Sequence, residues 1–346
     1  MTGRKRGGNG LPVPWVAAQG VSMLLGQRGL AAVRQARAAR RWLRLHLFKQ
    51  AWLAEGFSNP EAQEEMLLDT VRCEAYRQAI RRTVKPGDVV VDMGAGTGLL
   101  SFFALQAGAR RVYAIEMGQI AGLAAELIAA NGFESRVTLI RESSTKAKLP
   151  ELCDVLVTET LSSFGFDDEN IVAYVADARR RFLKPGARII PEQCDALVMP
   201  YSSDAFGPGQ FPRTLYDLDY QPFRRQRFGG MITVATGNKT YTALGAPQSF
   251  ARIDFYEAEK DPGPAAVDCP ITVDGRLDGF LGWFRSRLCE GITLSNAPDL
   301  PATHWLQMLF PVPGQPQVRE GDTAILHLDP HMVAGGAQWE YRVELV

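Results

Sequence analysis

The stretch Val89–Glu116, VVVDMGAGTGLLSFFALQAGARRVYAIE, constrains the fold more than any other part of the chain. Val89, Val90 and Val91 form a β-branched run of the kind buried inside a parallel sheet. The run ends in Asp92, and Gly94, Gly96 and Gly98 follow at alternate positions. Behind them LLSFFALQAGA has helical character, and RVYAIE reads as a second strand closing on Glu116. Glycines at such a turn let the backbone approach a ligand closely and take positive φ. An acid ending the following strand is placed to accept hydrogen bonds from a ribose diol. The unit therefore predicts a site for a nucleoside-like cofactor.

GAGTGLL alone would also pass for the glycine turn of a dinucleotide-binding fold. Asp92 argues against that, because a carboxylate just before the glycines repels a pyrophosphate. The same carboxylate can accept from an ammonium, or from a water beside an amino-acid tail. This favours S-adenosylmethionine over NAD; a tight βα turn that binds nothing is the third reading.

The 346 residues exceed a typical single domain, which predicts two domains and an extension. Lys and Arg total 38, as do Asp and Glu, but residues 1–54 hold ten of the cations and none of the acids. An acidic body thus carries a basic N-terminal arm. Cys73, Cys153, Cys194, Cys269 and Cys289 are odd in number and form no C-x-x-C, which predicts a reducing, cytoplasmic setting without disulfides or a zinc site. His46, His304, His327 and His331 give no metal-ligating pattern, and no metal is expected. No apolar run has the length of a membrane span. The Arg-rich, acid-poor start also fits a transit peptide, but the arm is read as part of the mature protein.

Along the chain, residues 1–58 read as a basic helical extension. Ala32, Ala36, Ala39, Leu43 and Leu47 make one helix face, with Arg34, Arg37, Arg41 and Arg44 opposite. That stripe is either a solvated face or a surface for an acidic partner. Residues 59–192 read as a Rossmann-like domain. One or two helices over Pro60–Arg82 precede alternating strands and helices, which argue a doubly wound parallel sheet. Lys184-Pro185-Gly186 is expected to turn into its last strand. From 193 to 346, short β-rich runs separated by Pro and Gly predict a β-barrel or sandwich. Residues 211–230, FPRTLYDLDYQPFRRQRFGG, interrupt that pattern as a long loop or an inserted arm.

Five stretches together resemble the protein arginine N-methyltransferase family over about residues 60–346. They are EEMLLDTVRCEAYR, the Val89–Glu116 unit, VLVTETLSSFGFDDEN, FLKPGARIIP, and LSNAPDLPATHWLQMLF with Thr303-His304-Trp305. The third is similar to the family's double-glutamate loop and the last to its Thr-His-Trp loop. The resemblance implies S-adenosylmethionine bound by Asp92, Gly94, Gly96 and Gly98, with Glu116 on the ribose and Arg72 on the carboxylate. Met66 would lie beside the methyl group and the target nitrogen. Glu159 would be the first glutamate and Glu169 the second, with Asp168 as the other choice. Asp69 and His304 would form a carboxylate–histidine dyad at the site mouth. A guanidinium arrives charged, and two carboxylates grip it by bidentate hydrogen bonds. Orientation and charge stabilisation would then supply most of the catalysis of an in-line methyl transfer.

The chain also departs from the family pattern. Phe57 stands near one of two expected tyrosines, Thr160 replaces a tryptophan after the first glutamate, and Thr145 is the nearest match to an adenine-contacting acid. The expected activity is methyl transfer to arginine in a protein or peptide. Transfer to a small guanidine or amine, and a cofactor-binding scaffold without turnover, are the competing readings. The family habit of pairing through an arm makes residues 211–230 the expected homodimer contact.

Overall fold

The computed structural model describes residues 59–167, 170–333 and 336–346. The expected N-terminal helix and arginine stripe lie outside these residues, as do Asp168 and Glu169.

Helix α1 (Pro60–Leu68) starts where Asn59 accepts from the Glu61 amide at 2.9 Å, with proline in the first turn. It stops at Asp69, which caps α2 (Thr70–Thr83) by accepting from the Arg72 amide at 3.0 Å. Arg72, Tyr76, Ala79 and Ile80 recur at helical spacing and are the buried face of α2. Arg81 and Arg82 close it, as the helix dipole favours.

The first sheet is parallel, with β3 (Val137–Ile140), β2 (Arg111–Ile115), β1 (Val89–Met93), β4 (Cys153–Thr158) and β5 (Leu183–Ile190) side by side in that order. Helices α3 (Leu99–Gln106), α4 (Ala121–Ala130) and α5 (Ile171–Arg181) alternate with the strands. The strand order reverses between β1 and β4, and a crevice for ligands opens at such a point. The expected Lys184-Pro185-Gly186 turn falls instead within β5. Gly186 has a φ of +73°, and the pairing with β4 shifts register there, so the turn is absorbed as an irregularity in the strand.

After Pro191 the chain enters an antiparallel half. β6 (Gln193–Ser202) pairs with strands Gly279–Cys289 and Gln248–Asp254 in a seven-stranded sheet. Strands Ala265–Pro270, Thr323–Val333 and Gly336–Leu345 form a second sheet. Of the two architectures expected here, the described strands make the sandwich. Trp339 of the small sheet packs on Phe310 and Phe250 of the large one, at 5.8 and 5.9 Å between ring centroids. One hydrophobic core runs through the parallel and antiparallel halves, and a smaller cluster around Tyr201, Phe206 and Trp283 lies in the antiparallel half. Residues 211–230 hold a short hairpin, Thr214–Leu215 with Leu218–Asp219, and a helix, Gln221–Arg227.

Candidate active site

Parallel register carries the ends of three neighbouring strands to one edge. Met93 pairs with Ile115 on one side and Thr158 on the other, so Asp92, Glu116 and Glu159 converge. The glycine turn is fastened to β2 because the Gly94 and Ala95 amides both donate to the Ile115 carbonyl, at 3.0 and 3.1 Å. Glu116 accepts from the Gly96 amide at 2.9 Å and the Gly118 amide at 2.6 Å. Gly96 has a φ of +54°, and a Cβ there would lie 3.1 Å from the Gln63 side chain of α1. Helix α1 thus covers the turn, and glycine meets both demands without strain. Thr160, in place of the family's tryptophan, packs its methyl where a Cβ on Gly94 would come.

Asp92 is buried. One carboxylate oxygen accepts from the Ser101 hydroxyl at 2.7 Å, and Oδ1 has no hydrogen-bond partner among the described residues. Burial raises its pKa to about 6, against the Ser101 hydrogen bond. An unpartnered buried acceptor beside a glycine cradle fits a ligand that brings donors or positive charge, as the amino-acid end of S-adenosylmethionine does. Thr145 shares a 2.9 Å hydrogen bond with Ser143.

Arg72 and Glu159 form the central contact. Arg72 Nε donates to Glu159 Oε2 at 2.5 Å, and Nη2 makes an ion pair with the same oxygen. Their side chains are 10% and 4% exposed. Burial works against the Arg72 charge, yet Glu159 outweighs it and the guanidinium pKa is raised. Arg72 Nη1 also donates to the Met66 carbonyl at 3.1 Å. Met66, half-buried, therefore meets the site through its backbone carbonyl. Cys73 is next to this pair, and burial raises its thiol pKa, which disfavours a nucleophilic role.

Asp69 and His304 meet as expected. Asp69 Oδ2 accepts from the His304 backbone amide at 2.8 Å and lies 2.9 Å from its Nδ1. Burial would raise the Asp69 pKa, but hydrogen bonds from the His304 ring and from the Arg72 and His304 amides win and lower it. One carboxylate caps α2 and ties the sandwich loop to it.

The sandwich also holds the loop that follows Glu159. Trp305 Nε1 donates to the Leu161 carbonyl at 2.8 Å, and Asn296 Nδ2 donates to the Ser163 carbonyl at 2.9 Å. Phe164 and Phe166 enter the aromatic cluster around Trp339, at 5.4 and 6.0 Å between centroids. Gly165 between them has a φ of +93°, and a Cβ would come 2.5 Å from Cys194 Sγ. On the other side, Tyr76 of α2 donates to the Thr158 carbonyl at 3.0 Å. Asn296, Phe164, Phe166 and Tyr76 escaped the sequence reading. The aromatic F-x-F was the one signal that could have flagged the anchor.

The family model described as ribosomal protein L11 methyltransferase (PrmA) matches residues 73–191, and the one described as arginine methyltransferase oligomerization subdomain matches residues 213–334. Protein arginine N-methyltransferase 6 of Xenopus tropicalis is 31% identical over 286 residues, covering 78% of this chain and 83% of that protein. An arginine N(omega)-methyltransferase of Streptomyces achromogenes subsp. streptozoticus is 31% identical over 268 residues, covering 76% and 74%. A probable histone-arginine methyltransferase CARM1 of Oryza sativa subsp. indica is 32% identical over 290 residues, covering 78% of this chain. This chain spans 54% of that longer protein. In fold, the chain is similar to the Trypanosoma brucei PRMT1 enzyme-prozyme heterotetrameric complex with AdoHcy, with a TM-score of 0.72 at 21% identity, covering 84% of this chain and 98% of the other.

Proposed function

The chain belongs to the protein arginine N-methyltransferase family, and on that premise we propose that it transfers a methyl group from S-adenosylmethionine to a guanidino nitrogen of arginine in a protein or peptide. The observation that carries this reading is the buried Glu159 carboxylate, already holding the Arg72 guanidinium, beside the glycine turn and its orphaned Asp92 oxygen. A site that holds one guanidinium on this carboxylate has the chemistry to hold another.

S-adenosylmethionine would supply an electrophilic methyl on a sulfonium. Asp92 and the Gly94–Gly98 turn would hold its amino-acid end, Arg72 its carboxylate and Glu116 its ribose. Glu159 would fix the acceptor nitrogen and draw positive charge away from it. Glu169, or Asp168, would be the second grip. The Asp69–His304 pair would hold the site mouth and give the released proton a route to solvent. Met66 at the methyl leans towards monomethyl or asymmetric dimethyl products.

Residues 211–230 would be the homodimer contact. Tyr216, Leu218 and Phe223 are 88%, 60% and 48% exposed there, which favours an apolar partner surface. Among the described residues no helix is long and apolar enough to cross a membrane. The five free thiols suit a reducing compartment such as the cytoplasm.

A second reading is methyl transfer to free arginine or another small guanidine. The Streptomyces relative's name gives arginine alone as acceptor, which favours it. Mass spectrometry separates the two readings. Purified chain and S-adenosylmethionine are incubated with arginine-containing peptides, a protein extract and free arginine. Methylated arginine in peptide or protein, absent with Glu159→Gln, is the expected result. Methylation of free arginine alone would replace this reading with the second, and methylation of nothing would sink both.

A further inference from the structure

We infer that Asp167, clasped to Ser162, is a positioning residue for the methyl transfer; the inference rests on the guanidine-methylation reading of the site. The clasp shapes the loop that begins at Glu159 and leads into Asp168 and Glu169. The run Asp167-Asp168-Glu169 offers three acids for a second grip. Hydrogen bonding takes Asp167 out of that role and gives it another.

Ser162 is buried, and its hydroxyl donates to Asp167 Oδ1. The Asp167 amide donates back to the same hydroxyl at 3.0 Å. A third bond runs from the Phe164 amide to Oδ1 at 3.1 Å. Within this ring the Gly165 amide donates to the Ser162 carbonyl at 3.0 Å. Oδ1 therefore takes two donors from its own loop, and the Ser162 hydroxyl both donates and accepts. Burial raises the Asp167 pKa, while the Ser162 and Phe164 bonds oppose the rise. What the clasp requires at Oδ1 is an acceptor rather than a charge, so an amide oxygen serves as well.

The need for a clasp follows from the loop's shape. Residues 159–167 belong to neither helix nor strand, and Glu159 and Glu169 are ten positions apart. An irregular segment of that length has many conformations unless bonds inside it select one. Two carboxylates gripping a planar guanidinium need a fixed separation, and a misplacement of about 1 Å can cost about 100-fold in rate. Trp305 and Asn296 tie the near half of the loop to the sandwich, at the Leu161 and Ser163 carbonyls. Phe164 and Phe166 anchor its middle in the aromatic cluster. Ser162 and Asp167 join the near half to the far end, at the last residue before Asp168 and Glu169.

The test compares Ser162→Ala, Asp167→Ala and Asp167→Asn with wild type, with S-adenosylmethionine as donor and an arginine peptide and free arginine as acceptors. Rates are taken well below the unfolding transition, and calorimetry gives the Kd of S-adenosylhomocysteine. Both alanine variants should lose about 10–100-fold in kcat, more than the acceptor KM rises. Their cofactor Kd should match wild type, because Asp92, Glu116 and the glycine turn belong to the neighbouring strands. Asp167→Asn should keep most of the activity and the wild-type pH profile of kcat. An asparagine variant as slow as the alanine ones would make the carboxylate itself a grip or proton acceptor, and overturns the inference. Wild-type kcat in Ser162→Ala overturns it too, as does a loss confined to KM. If Asp167→Ala fails to fold, Ser162→Ala decides, since it removes one hydroxyl alone. Hydrogen exchange at the Asp167 amide reads the clasp without turnover, slow in wild type and faster in Ser162→Ala. Fast exchange in wild type overturns the clasp whatever the activity. Slow exchange in a protein that methylates neither acceptor removes the transfer reading, and the positioning role with it.

Discussion

Arg72 and Glu159, 87 positions apart, neutralise each other inside the protein, with Nε donating to Oε2 at 2.5 Å. Each is the other's main compensation for burial, because their side chains are only 10% and 4% exposed. Removing one partner strands the other. Arg72→Ala should therefore cost about 3–5 kcal/mol of stability, read as a lowered urea midpoint with unchanged slope. It should also abolish detectable cofactor binding in calorimetry. A variant as stable as wild type would mean that water already compensates Glu159.

Asp69 performs two jobs that two substitutions separate. Asn caps helices well, so Asp69→Asn should keep α2 and lose the charge facing His304. Asp69→Ala should lose the cap too, for about 1 kcal/mol more. Both should lower kcat, and only the alanine variant should show the extra loss on unfolding. The Asp69 pKa is lowered from 3.8, so its stabilisation is full above that value and disappears as pH falls through the lower folded pKa. Equal stability of the two variants would remove the capping role.

Asp92 gives the opposite pH signature. Its pKa rises from 3.8 to about 6, so the folded protein binds the proton more tightly than the unfolded chain does. The contribution is present below 3.8 and is lost as pH rises through about 6. The gap corresponds to up to about 3 kcal/mol. Without ligand, Asp92→Asn should gain stability relative to wild type between those two values, in denaturant titrations run at several pH values. A pH-independent difference would contradict a buried, unpartnered carboxylate.

Trp305 holds the loop after Glu159 by one indole hydrogen bond to the Leu161 carbonyl. Trp305→Phe keeps a ring in the same place and leaves that carbonyl without its partner. The loss should be about 1–3 kcal/mol, with kcat falling more than KM changes, since Glu159 is being misplaced rather than removed. Stopped-flow binding and steady-state rates measured on one preparation decide it. A change confined to KM would mean the loop contacts substrate without positioning Glu159.

Much of this site was readable because its parts are local. The βαβ unit encodes its strand, turn and closing acid within 28 residues, so Asp92, Gly96 and Glu116 could be placed from pattern alone. Asp69 with His304 needed the family resemblance, since nothing local links residues 235 positions apart. The Arg72–Glu159 pair went unseen because each residue carried its own expected ligand; only the packing of α2 on β4 brings them together. Phe164 and Phe166 look like ordinary loop aromatics until the sandwich closes around them. The Lys184-Pro185-Gly186 turn misled because a bulge and a turn use the same residues, and only strand pairing distinguishes them.

Phe164 and Phe166 carry a consequence for engineering. They leave the parallel half and are buried in the aromatic cluster of the antiparallel half, with Gly165 admitting no side chain between them. The segment after Glu159 therefore belongs to both halves at once. A chimera joined near residue 192, combining this parallel half with a sandwich from another protein, would inherit a lock without its key unless that sandwich offered the same aromatic socket. Grafts in this architecture have to move the loop and its socket as one unit.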